Sequence, residues 1–298
     1  MVILDAGDAR LSYFVAGDGP PVTLLHGFTQ SGRSWRELIA HMPLGWTWIV
    51  PDLRGHGETQ LRHGALCSMD ACTGDLVLLW DAVGVERSHI VGYSMGGRLA
   101  LHVATRRPDR VLSLLTIGAH AGLEEDAREG RRRGDEGLAE RIEKDGLEAF
   151  ANYWGSLPLF AGLERRGPAY VAEIRAERLR NHVAGLACSL RGMGAGAMHP
   201  LWDELAQVSV PCTFVAGQLD HGYVASARRL AATVPHGRVE IVLRAGHAVH
   251  QERPDALARV LASHLAASPL RANASTSHAT SAGRRAVMRT AFTAGSRW

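Results

Sequence analysis

Short runs rich in Val, Ile and Leu recur along this chain, at Leu11 to Ala16, Val22 to Leu25, Trp46 to Val50, His89 to Val91, Val111 to Ile117, Thr213 to Ala216 and Val239 to Leu243. Between most of them lie stretches with apolar residues at helical spacing: Trp35 to His41, Met69 to Val83, Met95 to Thr105, Val224 to Ala232 and Pro254 to Ala266. Continuous apolar runs suit strands buried on both faces. Strands that alternate with helices suit a mainly parallel sheet, since a parallel neighbour is reached only by a crossover. The predicted fold class is α/β, a mainly parallel sheet flanked by helices.

The alternation breaks once. From Ala119 to Gln207 the chain is charged and helical in pattern, through Arg131-Arg-Arg-Gly-Asp-Glu136, Gly137 to Lys144, Leu147 to Trp154 and Ala169 to Arg180, with no strand-like run. A connector between two strands needs far fewer residues. Residues 119–207 are therefore predicted to be a helical cap inserted into a core made of 1–118 and 208–267. Beyond Ala267, residues 268–298 are mostly Ala, Ser, Thr, Gly and Arg without periodicity, and they read as a disordered basic tail.

At 298 residues, 46% hydrophobic and 21% charged, the chain has ample material for a core, which excludes a disordered or fibrous protein. The net charge of +3 becomes −2 without residues 268–298, which hold five arginines and no acid. The body thus has no broad basic field to attract a phosphate backbone, and no nucleic-acid partner is expected. Lys144 is the only lysine, so arginine is this chain's default cation and one arginine alone signals little. Cys67, Cys72, Cys188 and Cys212 fit no zinc or redox spacing and suit reduced thiols. No long uncharged apolar run occurs, and Met1-Val-Ile-Leu-Asp5 has neither a basic start nor an apolar signal core. A cytoplasmic protein without a membrane segment is expected. Nothing in the sequence specifies its oligomeric state.

Ile90-Val-Gly-Tyr-Ser-Met-Gly-Gly-Arg98 places Gly-x-Ser-x-Gly directly between a strand and a helix. In that context the serine sits on a sharp turn with its hydroxyl raised above the sheet, and the flanking glycines leave room for the close backbone. Ser94 is the candidate nucleophile or base, and it needs an imidazole to take its proton. In chain order the partners should be an acid and then a histidine. Asp220 follows the run Thr213 to Ala216 and His247 follows the run Val239 to Leu243, both at the carboxyl edge of the sheet. His221 and His250 are the neighbouring alternatives, each otherwise a polar loop residue. For negative charge developing on oxygen, the backbone amides of Phe28, after Val22 to Leu25, and of Met95, at the helix start, are the predicted oxyanion donors. His26, Asp52, Arg54 and His56 read as structural residues of two tight turns.

These motifs resemble the α/β-hydrolase superfamily from Leu11 to Ala267, and more narrowly the 2-succinyl-6-hydroxy-2,4-cyclohexadiene-1-carboxylate synthase family, lyases of menaquinone biosynthesis. The narrower resemblance is carried by four stretches. They are Leu25-His-Gly-Phe-Thr29, Gly92-Tyr-Ser-Met-Gly-Gly-Arg-Leu-Ala-Leu101, Arg131-Arg-Arg-Gly-Asp-Glu-Gly-Leu-Ala-Glu-Arg141 with Tyr153-Trp-Gly-Ser-Leu-Pro-Leu-Phe160, and Arg178-Leu-Arg-Asn181 with Leu186-Ala-Cys-Ser-Leu-Arg-Gly-Met-Gly194. The resemblance implies the α/β-hydrolase fold and elimination of pyruvate from a polyanionic small molecule, with no metal and no cofactor. It also implies carboxylate-binding roles for Arg98, Arg131 and Arg178, with Tyr93 and Trp154 lining the pocket. The spacing from Leu123 to Asp135 is one residue short of the family's, which leaves Arg131 and Arg132 both open. An arginine run is also what a solvated helix face looks like, and Trp154 suits cap core as well as pocket wall. The same triad would serve a carboxylesterase or carbon-carbon bond hydrolase with Ser94 as nucleophile. A non-catalytic binding module of this fold would be expected to lack a triad member.

Overall fold

The structure is a computed structural model and describes residues 1–268. Nine strands form one sheet: β1 (Val2–Asp5), β2 (Ala9–Gly17), β3 (Pro21–Leu25), β4 (Thr47–Pro51), β5 (Gln60–Leu61), β6 (Ser88–Tyr93), β7 (Val111–Ile117), β8 (Cys212–Gly217) and β9 (Gly237–Val242). Their spatial order is β1-β2-β4-β3-β6-β7-β8-β9, with β5 beside β2. From β4 to β9 every neighbour is parallel, and β2 joins β1, β4 and β5 antiparallel. β1 and β5 escape sequence patterning because β1 is a largely exposed edge and β5 has only two residues. Neither carries a core-facing repeat.

Adjacent side chains on the central strands point to opposite faces, and both faces are covered. Leu25, Ile90, Leu114 and Phe214 pack in one apolar layer, and Leu24, Val91, Leu115 and Val215 in the other. Helices α1 (Arg36–His41), α2 (Met69–Ala82) and α3 (Met95–Arg106) precede the long insertion; α2 and α3 cover the first layer and α1 the second. Between β7 and β8 run α4 (Glu125–Gly155), α5 (Pro168–Arg178) and α6 (Val183–Met193). α4 is broken at Gly146 (φ 81°, ψ 172°), so the periodic stretches 137–144 and 147–154 are its two arms. α4 and α6 share a small core of Ala139, Ile142, Phe150, Leu186, Ala187 and Leu190. After β8 come α7 (His221–Thr233), α8 (Val249–Glu252) and α9 (Pro254–Ala266). No helix among the described residues is long and apolar enough to cross a membrane. Of the stretch predicted to be a tail, Ser268 is buried and its hydroxyl donates to His264 O at 2.8 Å. Residues 269–298 lie outside the described residues.

The turn after β4 is held by buried polar contacts. Arg54 donates twice to Asp75, at 2.6 and 2.8 Å, and Asp52 accepts the Gly32 and Glu58 amides at 2.7 and 2.9 Å. Several histidines are built into the core as neutral rings. Burial, the main cause in each case, lowers His26, His89 and His264 to about 4 and His56 and His250 to about 3. The unfolded chain binds protons at these rings below about pH 6.5, and the folded one does not until far lower. Their stability contribution is therefore present above about pH 6.5 and is lost as pH falls toward 4. Tm should drop progressively between pH 7 and 4 in a thermal scan, and a flat Tm across that window would contradict this account.

Candidate active site

The carboxyl ends of the parallel strands meet the helical insertion at a cavity of about 400 Å³. Ser94 stands between β6 and α3 with φ 51° and ψ −110°, a region in which L residues are strained. Its N–H donates to Ile117 O on β7 at 2.8 Å. The glycines around it are a steric necessity. A Cβ on Gly92 would overlap the Gly96 carbonyl, and one on Gly96 would overlap Leu25 O.

His247 lies on the loop after β9, with its Nε2 3.1 Å from Ser94 Oγ and its Nδ1 2.7 Å from Asp220 Oδ2. Asp220 lies just beyond β8 and immediately before α7. A carboxylate can only accept, so Nδ1 carries the proton and the Nε2 lone pair faces the serine hydroxyl. That is the arrangement in which an imidazole takes a proton from serine. The imidazole has room because the residue that follows β7 is Gly118. A Cβ there would sit 2.8 Å from His247 Cε1, at a φ of +57° that disfavours any side chain. The two alternative histidines are elsewhere: His250 is fully buried against Tyr93 and Trp35, and His221 is exposed at the start of α7.

Phe28 and Met95 both line the cavity with Ser94. Met95 opens α3, where the amide has no carbonyl one turn earlier to meet. His26 fixes the turn before Phe28: its Nε2 accepts Leu53 N–H at 2.9 Å and its Nδ1–H donates to Gly27 O at 2.8 Å.

Arg98, one helical turn beyond Ser94, lines the same cavity. It is buried, its Nη1 meets no hydrogen-bond partner, and burial draws its pKa down to about 10. A buried guanidinium with an unmet donor is costly unless an anion completes it. Arg131 also lines the cavity, donating to Asp135 at 2.8 Å. Arg132, exposed on the same helix, does not. Trp154 fits both of its expected readings. It lines the cavity and packs on Phe28 and Phe150, with ring centroids 5.3 and 5.6 Å away.

Tyr93 and Arg178 are placed outside the lining of this cavity. Strand alternation sends Tyr93 to the face opposite α3, where it is buried between His247 and His250 at 5.2 and 4.2 Å. Arg178 ends α5 with its guanidinium 5.0 Å from the Phe160 ring, and it borders a separate pocket of about 60 Å³ with Arg33 and Gln251. Burial lowers Arg178 to about 10, opposed by Tyr93.

Residues 20–254 match the sequence model of the α/β-hydrolase fold family. A Bacillus subtilis protein assigned as a 2-succinyl-6-hydroxy-2,4-cyclohexadiene-1-carboxylate synthase is 38% identical, over 85% of this chain and 94% of its own length. A protein of that name from Klebsiella pneumoniae subsp. pneumoniae is 31% identical over 83% and 94%. The chain belongs to this synthase family, within the α/β hydrolases. Among solved structures, MenH from S. aureus superposes with a TM-score of 0.81 at 29% identity, covering 87% of this chain and 98% of that one. A malate-bound thermophilic esterase from Thermogutta terrifontis superposes at 0.75 with 26% identity, covering 87% and 94%.

In this synthase-family chain the cavity also holds residues that sequence patterning passed over. His120 lies three residues beyond β7, and its Nδ1 accepts Gly122 N–H at 3.0 Å, which puts the ring proton on Nε2. Burial, with Arg98 and Arg131 adding to it, lowers His120 to about 3, so the ring stays neutral. Tyr223 stands 4.5 Å from the His247 ring. The signal for His120 in the sequence is its position just past a core strand, at the start of the insertion.

Gly118→Ala should displace the imidazole from Ser94. Acylation of Ser94 by an activated ester is expected to slow by roughly tenfold or more, since misplacement of about 1 Å can cost a hundredfold. Unchanged acylation would mean that the loop absorbs the added methyl.

Proposed function

We propose that this chain is a carbon-oxygen lyase that eliminates pyruvate from 2-succinyl-5-enolpyruvyl-6-hydroxy-3-cyclohexene-1-carboxylate, giving 2-succinyl-6-hydroxy-2,4-cyclohexadiene-1-carboxylate for menaquinone biosynthesis. Family membership sets the reaction class, and one observation carries the assignment to this cavity. Arg98, buried with an unpartnered Nη1, faces the same space as Ser94 and His247. A hydrolase for neutral esters gains nothing from a buried unmet cation, whereas a substrate with several carboxylates completes it by a charge-assisted contact. Arg131, half-exposed and paired with Asp135, supplies a second cation to the cavity lining.

In this reading Ser94 is a base. His247, oriented by Asp220, takes the hydroxyl proton as the serine oxygen removes a ring proton from the substrate. The electron pair moves through the ring double bond, the carbon-oxygen bond to the enolpyruvyl group breaks, and enolpyruvate leaves to be protonated to pyruvate. Negative charge built up on the conjugated carbonyl or carboxylate is met by the amides of Phe28 and Met95. The departing carboxylate is met by the arginines. Residues 119–207 act as the cap that shuts water out, placing Trp154 over the cavity.

Purified protein given the enolpyruvyl precursor should release pyruvate, read by coupling to lactate dehydrogenase, together with the ultraviolet change of diene formation. Turnover of simple esters with no pyruvate would instead favour a serine esterase on the same fold. Ser94→Ala, Asp220→Asn and His247→Ala should each remove most pyruvate release without lowering Tm appreciably, because a triad acts as a unit. Near-native turnover in any of the three would remove that residue's role.

Arg98→Ala should cut kcat/KM on the polyanionic precursor by about ten- to a hundredfold, the scale of one lost charge-assisted hydrogen bond. Any hydrolysis of a small neutral ester should be spared. Equal losses on both substrates would make Arg98 structural.

A further inference from the structure

The loop carrying His247 is held on both sides by a side chain that the triad does not use. Glu252 closes α8 with its side chain only 1% exposed. Oε2 accepts Gly246 N–H at 2.8 Å and Oε1 accepts Ala248 N–H at 3.2 Å. These are the amides immediately before and after His247. Oε2 also meets Arg165 Nη2 at 2.8 Å, and that same nitrogen donates to Arg244 O at 3.1 Å, where the loop turns through a positive φ of 57°. Arg165 belongs to the 3₁₀ segment Pro158–Arg166 of the helical insertion. Gly162 in the same segment approaches so closely that a Cβ would overlap the Glu252 carboxylate.

We infer that Glu252, braced by Arg165, is the positioning residue for His247, and that through this pair the seating of the insertion is coupled to the readiness of the base. The inference rests on the reading of His247 as the group that takes the Ser94 proton. Two amides pinned by one carboxylate leave the intervening residue little freedom, and the Asp220 contact then orients the imidazole within that fixed frame. With the carboxylate gone, the buried Ala248 amide would need another acceptor, and the loop would shift to supply one. Arg165 acts only through Glu252 and Arg244 O, since it does not line the cavity.

The test uses the full chain with Arg165→Ala, Arg165→Lys and Glu252→Gln. Arg165→Ala should lower kcat for pyruvate release by about three- to tenfold with KM within about twofold, the pattern of a misplaced catalytic group. Arg165→Lys, which keeps a donor toward Glu252, should recover most of it. Glu252→Gln should cost about tenfold or more on the same ground. In both damaged variants the downfield proton NMR resonance of His247 Nδ1–H should move or broaden, and phosphonylation of Ser94 by a fluorophosphonate probe should slow. If Glu252→Gln does not fold, Arg165→Ala decides alone. Unchanged kcat, resonance and phosphonylation in Arg165→Ala would overturn the inference, as would a rise in KM alone. If the native chain releases no pyruvate, the synthase reading fails by itself, while the resonance and the phosphonylation rate still test the positioning role.

Discussion

The turn at Ser94 is the constraint on which the rest of the cavity depends. β6 enters it from the centre of the sheet and α3 leaves it over one face, so the serine must take a backbone conformation that only crowding from all sides can hold. Gly92, Gly96 and Gly97 permit that crowding, and the bond from Ser94 N–H to Ile117 O anchors it to β7. The strain is offset by the burial of two apolar layers around the same strands. It presents one hydroxyl, one free helix-start amide and, a turn later, Arg98 to a single space.

The charges of that space are arranged by exclusion of water. Behind the cavity, burial keeps three histidines neutral: His26 and His56 hydrogen-bond to the backbone of two turns, and His250 packs against Trp35 and Tyr93. His247 is distinguished from them by its carboxylate partner. Arg98 is the reverse case, a cation held in burial with a donor unmet. A cavity lined by the neutral His120 and one underpartnered guanidinium selects for an anion, and a fixed donor set does so without reorganising when the anion arrives. The helical insertion contributes Arg131 and Trp154 to the cavity and, from its segment Pro158–Arg166, Arg165, which reaches the His247 loop.

Much of this architecture is legible in the amino-acid sequence. β7 and α9 have the bounds that their apolar periods give, and most of the other core elements differ by one to three residues at an end. Buried strands and amphipathic helices write their environment into local composition. The edge strands β1 and β5 left no such mark. The kink at Gly146 was visible only as a gap between two helical periods. Arg98, one turn of helix after Ser94, lines the cavity, whereas Tyr93 packs on the other face of the sheet and Arg178 against Phe160. For Tyr93 the pleat decides the direction. For Arg178 the packing of α5 on Phe160 decides it.

The sequence by itself determined the α/β order, the strained serine turn, and the acid and histidine each placed just past a core strand, because those features are local or ordered along the chain. Which arginine of the run beginning at Arg131 reaches the cavity was decided only in three dimensions. So were the entry of His120 into the cavity and the capture of the His247 loop by Glu252 and Arg165. Each depends on segments far apart in sequence meeting at particular distances, and such contacts are fixed by how the insertion packs on the sheet edge, a property no short stretch of sequence carries.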